Sequence, residues 1–240
     1  MIAPLLVPLA PLSQQAANLL GQVDLRAPID NPGLTTPLQL IFMLALLTIL
    51  PFLIIMTTSF MRTIIVLGFL RQAMGTQTIP PNPVLLGLGL FLAIYTMNPV
   101  WSTIDQNALQ PYLHKRIDQP TAIQAAVAPI QEFMLRQTSQ QELAFFVRLT
   151  RHPEPATPAD VPIHVVIPAF MISELTTAFK IGFIIYVPFL VIDLVVANVL
   201  MALGMSMLPP QMISTAFKIL IFTLANGWHL IAQALIGSFK

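Results

Sequence analysis

The sequence predicts an all-α membrane protein, two long helical hairpins separated by a small helical extramembrane insert. Three observations carry that prediction. First, 56% of the 240 residues are hydrophobic and only 9% are charged, against roughly 25% charged in an ordinary soluble domain; mean hydropathy is +0.79. Second, the apolar residues collect into runs able to cross a bilayer, which takes ~20 such residues in a helix. Third, two bends share one device: Gly75 is followed by four residues and then Pro80-Pro81, and Gly204 by four residues and then Pro209-Pro210. Glycine ends a helix in the left-handed conformation and proline suits the first turn of the next, so each bend joins two antiparallel helices.

Composition also excludes several function classes. Net charge is +1 and no basic cluster exceeds His114-Lys115-Arg116, so nucleic acid is not indicated. Cysteine is absent, which removes disulfide frameworks and thiolate metal sites. The histidines (His114, His152, His164, His229) are scattered, and no HExxH, phosphate loop or nucleophile elbow is present. No catalytic residue, metal or cofactor is expected.

Residues 1–37 form an N-terminal extension. Met1 to Gln15 is apolar but broken by Pro4, Pro8 and Pro11, and no Lys or Arg precedes it. A secretory signal wants a basic start and an unbroken apolar centre; only Ala16-Ala17 offers a cleavage site, so a cleaved signal and a plain extension both stay open. The first hairpin spans 38–104. Leu38 to Met61 is uncharged, with a kink expected at Pro51, and Val84 to Ile104 is the second span. Within it Gly89 and Ala93 make a small-xxx-small pair that admits a close helix neighbour.

Residues 105–164 read as the insert. Ile123, Val127, Ile130 and Met134 recur at helical spacing, and Ser139 to Glu142 matches a capping box that opens a second helix carrying Leu143, Phe146 and Val147. Arg151 to Pro162 is Pro-rich and reads as a loop. The insert is too short for a core of its own and is expected to pack on its neighbours. Residues 165–240 form the second hairpin: Val165 to Leu203, with its natural break at Pro188, then Ile213 to Ile236.

Arg62 and Arg71 have no balancing acid between Asn31 and Asn98. The positive-inside rule makes them cytoplasmic-side anchors, which places the first bend inside, the insert outside, and the second bend back on the first side.

The second hairpin carries charges with no local partner. Glu174 and Lys180 are six residues apart, hence on different faces of one helix, and Asp193 is misaligned with both. Unpaired buried ions are strongly disfavoured. Apart from Lys240 the remaining cation of this half is Lys218, so Glu174 is expected to pair with Lys218, across the hairpin or between subunits. The alternatives are snorkelling of Glu174 and Lys180 at a water boundary, or Asp193 as a proton or ion relay. At the second bend, Met205 and Met207 are either core filler or, repeated around a ring of subunits, flexible side chains that plug a central passage.

Several motifs together resemble the FliP family of the flagellar type III export gate. They are Thr57-Thr58-Ser59-Phe60-x-Arg62, Leu70-Arg71-x-Ala73-Met74-Gly75-Thr76-Gln77, Pro80-Pro81-Asn82, Ser173-Glu174-Leu175, Ala178-Phe179-x-Ile181-Gly182-Phe183, Pro188 to Leu194, Gly204-Met205 through Pro209-Pro210, Phe217-Lys218 and Gly227-Trp228. The resemblance covers about Leu40 to Leu235.

It implies a homopentamer that assembles with FliQ-like and FliR-like membrane subunits and other export-apparatus proteins in the bacterial inner membrane at the flagellar basal body. The insert would be periplasmic, and unfolded exported proteins would pass through the centre. It further implies that Met205, Ser206 and Met207 form the gasket sealing the pore. Ser206 departs from the family's three methionines, and Asn226 stands where the family often has aspartate. The rival readings are an injectisome gate subunit and, from another class, a self-contained ion-coupled transporter using Glu174, Lys180 and Asp193.

Overall fold

A computed structural model describes residues 35–76, 78–150, 157–205 and 207–239. Among these residues all regular structure is helical. The chain divides into two units, residues 1–51 and 52–240. The described part of the first unit lies in helix α1 (Thr35–Thr57), which runs through Pro51. The expected disruption comes instead at Thr58-Ser59, after which α2 (Phe60–Ala73) begins.

In the second unit, α3 (Asn82–Ile104) continues through a π-helical turn (Asp105–Leu109) into α4 (Gln110–Leu113). The insert supplies α5 (Gln119–Gln137) and α6 (Gln140–Leu149). The capping signal at Ser139 is real: its hydroxyl accepts the Glu142 N–H at 3.2 Å. A short 3₁₀ turn, Pro158–Asp160, precedes α7 (Ile163–Ala202); residues 151–156 of the expected loop lie outside the described residues. Helix α8 (Pro210–Leu224) and α9 (Gly227–Gly237) follow.

Helix α7 does not break at Pro188. It stays helical through Pro168 and Pro188 for 40 residues, about 60 Å at 1.5 Å per residue. Each proline removes one backbone hydrogen bond, and packing offsets that loss: Phe189 is buried in the core beside Pro188. The break in the last span falls instead at Asn226, whose φ of 53° is left-handed, a conformation asparagine tolerates. Helices α8 and α9 meet there at 68°. Gly227 is required at this elbow, because a Cβ there would lie 2.2 Å from the Phe222 ring.

Helix α2 is the centre of the second unit. Its faces meet α3 on one side and α7 on the other. Gly89 of α3 faces Phe60, Ile64 and Leu67 of α2 at ordinary contact distances, the close approach that the Gly89–Ala93 spacing predicts. On the other side Gly182 of α7 lies against Phe69 so tightly that a Cβ would come within 2.5 Å of the ring.

Two apolar cores result. One joins Val66, Leu67 and Leu70 of α2 to Leu85, Ala178, Phe189, Phe222 and Leu235. The other joins Met97 and Val100 of α3, Phe133 and Met134 of the insert, and Val165, Val166 and Phe170 of α7. The insert therefore has no private core and borrows the ends of α3 and α7, as its length requires.

Among the described residues two helical stretches are long and apolar enough to cross a membrane, Asn82–Leu113 and Ile163–Ala202, or up to four if each bent pair counts as one span.

Buried ion pairs and the methionine bend

Both bends are built as the Gly-x4-Pro-Pro spacing requires. Gly75 and Gly204 have φ of 74° and 73°. At the second bend the Gly204 N–H reaches Met201 O and the Met205 N–H reaches Leu200 O, both at 3.0 Å, a complete Schellman closure. At the first, the Gly75 N–H bonds Gln72 O at 3.0 Å, and the Thr76 hydroxyl, 3.3 Å from Arg71 O, serves another free carbonyl. Pro81 caps α3, and Pro210 is the first residue of α8, with Pro209 as its cap.

The bends lie at one end of the unit. A Cβ on Gly75 would stand 2.9 Å from Thr215 Oγ1, near the start of α8. Helix α7 and its partner then run on past the first bend. From Asp193, level with the end of α2, to Ala202 is nine residues, about 14 Å of helix. Met205 and Met207 sit at this projecting tip, Met207 being 95% exposed; Ser206 lies outside the described residues.

The charged residues are brought together differently from the sequence expectation. Glu174 does not meet Lys218; its partner is Arg62, 112 residues earlier. Arg62 Nε donates to Glu174 Oε2 at 2.8 Å and Nη2 donates to Oε1, a bidentate pair. Nη1 donates to the Ser238 carbonyl at 2.8 Å and to the Ser238 hydroxyl at 3.0 Å, and Nη2 also reaches Gln137 Oε1 at 3.3 Å. All five guanidinium donors are thus used. The Phe239 ring covers the group, 4.0 Å from Cζ to centroid. The two side chains are 2% and 0% exposed.

Arg62 is therefore no surface anchor. It joins α2, α7, the end of the first insert helix and the segment after α9, at the level between the two cores. The physical reason is the one that makes an unpaired Glu174 costly: a cation in the same dry layer with five donors in a fork satisfies both oxygens.

Lys218 pairs with Asp193 instead, Nζ to Oδ2 at 2.6 Å, and also donates to the carbonyl of Ala73 at 3.1 Å. Ala73 closes α2, so the ammonium sits at the negative end of that helix. Lys218 is 6% exposed but Asp193 is 38% exposed. Arg71 holds the first bend, with Nη1 2.5 Å from Asn82 Oδ1 and 3.4 Å from Pro80 O. Lys180 is exposed, not buried, which fits the snorkelling alternative for that residue alone. Among the described residues no group of three or more acids and histidines could hold a metal.

Sequence reasoning missed Arg62 as a buried group, although a signal existed: it lies in an uncharged stretch without a local acid, the same property that singled out Glu174.

What fold and site define is an all-helical membrane protein whose two hairpins are fastened to one another by buried cations. The FliP family pattern matches residues 43–235. The chain is 46% identical to the flagellar biosynthetic protein FliP of Caulobacter vibrioides over 100% of its own length and 88% of that protein. It is 48% identical to FliP of Pectobacterium carotovorum subsp. carotovorum (93% and 86% covered) and 45% to FliP of Bacillus subtilis strain 168 (88% and 95%). The chain belongs to the FliP family.

Proposed function

We propose that this chain is a pore-forming core subunit of the flagellar type III protein export gate. The family membership over residues 43–235 carries the reading, and the names of the relatives favour the flagellar branch over an injectisome. In this reading five copies assemble with FliQ-like and FliR-like subunits and other export components in the inner membrane at the flagellar basal body. The insert faces the periplasm, and unfolded flagellar proteins pass through the axis. The subunit is a conduit and not an enzyme, the energy coming from other components.

Two features of the chain support this. The tip of the second hairpin projects past the first bend and carries Met205, 42% exposed, and Met207, 95% exposed, where flexible apolar side chains from several copies can close a passage. The exposed apolar surface of α7 and α8, including Val195, Val199 and Met212, is suited to burial against neighbouring subunits or lipid. A self-contained ion transporter is disfavoured, since Glu174 is sealed by Arg62.

Restoring motility to a strain lacking its own copy of this subunit tests the proposal. Swimming and secretion of flagellar proteins are expected with the wild-type chain, and Met205→Ala/Met207→Ala should raise small-ion leak in cells expressing the whole complex. A stably inserted chain that restores neither, or substrate uptake by the purified chain alone in liposomes, would overturn it.

A further inference from the structure

Every donor of Arg62 is used, but its acceptors are not equally secure. Glu174 is fixed within α7, and Gln137 is in the last turn of α5. The remaining acceptors, the carbonyl and hydroxyl of Ser238, lie beyond the end of α9. A single turn holds that segment. The Ser238 N–H reaches Leu235 O at 3.1 Å, the Phe239 N–H reaches Ile236 O at 3.3 Å, and the Ser238 hydroxyl donates to Leu235 O at 2.7 Å. Phe239 lays its ring over the guanidinium and stacks on Phe133. Two residues outside any helix thus close the pair on this side.

The same ring has a second place to go. A cleft of about 470 Å³ opens beside it, lined by Tyr95, Asn98 and Val100 of α3, Phe133 and Arg136 of α5, and Ile236. Clefts of that volume take ligands larger than a phenyl ring. A turn of the Phe239 side chain, or of the segment after Gly237, would carry the ring off the guanidinium and into this cleft with much of its apolar cover kept. The cost on the Arg62 side is limited too. Nε and Nη2 keep Glu174, and Nη1, once left by Ser238, meets water instead of a dry interior. Helix α9 itself stays in place, because Leu235 is 1% exposed in the core it shares with Leu67 and Phe222.

We propose that Ser238 and Phe239 form a clasp with two positions. Shut, as in this structure, the clasp keeps the Arg62–Glu174 pair dry. Released, with the ring in the neighbouring cleft, it lets water onto the pair. A dry ion pair is a strong constraint and a hydrated one a weak tie, so the clasp sets how stiffly α2 is fastened to α7. The device depends neither on what passes through the complex nor on the depth of the chain in a membrane.

The chain has no cysteine, so one introduced thiol is a unique reporter. Ser173→Cys puts it next to Glu174, at a position 3% exposed. Two rates are then read on the detergent-extracted complex carrying this change: amide hydrogen exchange of residues 238–239 for the clasp, and alkylation of position 173 for wetting of the pair. Ser238→Ala, which removes the hydroxyl and leaves the carbonyl, should raise both about fivefold. Asn98→Trp fills the cleft from its exposed rim, touches no partner of Arg62, and should slow both. Faster exchange at 238–239 with unchanged alkylation at 173 describes a frayed end and overturns the proposal. So do rates that Ser238→Ala leaves unchanged, and rates that Asn98→Trp fails to lower.

Discussion

Arg62–Glu174 ties α2 to α7 directly, whereas Lys218–Asp193 lies within the second hairpin and reaches α2 only through the Lys218 bond to the Ala73 carbonyl; the two pairs also sit in different media. The first is sealed, with side chains 2% and 0% exposed, five donors used and an aromatic ring over the guanidinium. The second borders a polar cleft, its acid 38% exposed and one oxygen unpartnered. A sealed pair is weak evidence of net stability but a strong constraint: losing one member leaves an uncompensated buried charge. A pair at a wet edge can let one partner go, because water or a ligand replaces it. The contrast assigns rigidity to the layer between the cores and adaptability to the end that bears the methionine bend.

The largest effect is expected where the first pair is broken. Arg62→Ala or Glu174→Ala should cost about 3–5 kcal/mol, read as loss of folded, extractable protein. Ser238 and Gln137 lose their donor as well in the arginine variant, so it should be the more severe. Next comes the contact that lets α2 and α7 approach. Gly182→Ala places a methyl 2.5 Å from Cδ2 and 3.0 Å from Cβ of Phe69; overpacking of this kind costs about 1–3 kcal/mol, and Gly182→Ala/Phe69→Leu should recover part of the loss in thermal unfolding.

Asp193→Asn should be milder, about 1 kcal/mol, since a half-exposed carboxylate is screened and its cation keeps the Ala73 carbonyl. A loss as large as that of Glu174→Ala would erase the distinction between the pairs. Met205→Ala/Met207→Ala should leave the melting temperature of the subunit unchanged, because neither side chain is buried in its own chain.

The smallest effect lies in the insert. The Asp118 carboxylate is held below its usual pKa by hydrogen bonds from the Thr121 side chain and backbone N–H. Its contribution to the first turn of α5 is thus present at neutral pH and lost as pH falls through the carboxylate range. Hydrogen exchange of that turn should quicken in Asp118→Ala at pH 7 and converge with wild type in acid.

Much of the architecture is legible in the residues, for local reasons. Glycine and proline punctuate the bends, Ser139 caps its helix, and apolar spacing marks α5. Pro51 and Pro188 mislead, because a proline sets a local penalty while the packing that offsets it is tertiary. The ion pairing is legible only in part. That Glu174 and Asp193 need cations follows from burial, but which cation each takes depends on α2 lying parallel to α7 and level with it. No spacing encodes that register. The positive-inside rule drew Arg62 to the surface, whereas the structure puts it in the interior among Glu174, Ser238, Gln137 and Phe239. Arg71, nine residues on, has the same charge and does sit at the bend.

The claim beneath the account is that Glu174 is energetically coupled to Arg62 and not to Lys218. Double-mutant cycles on the stability of the purified complex, pairing Glu174→Gln once with Arg62→Met and once with Lys218→Met, measure it directly. The account predicts a coupling above about 1 kcal/mol for Arg62 and additivity within about 0.5 kcal/mol for Lys218. Strong coupling to Lys218 with additivity at Arg62 would contradict it.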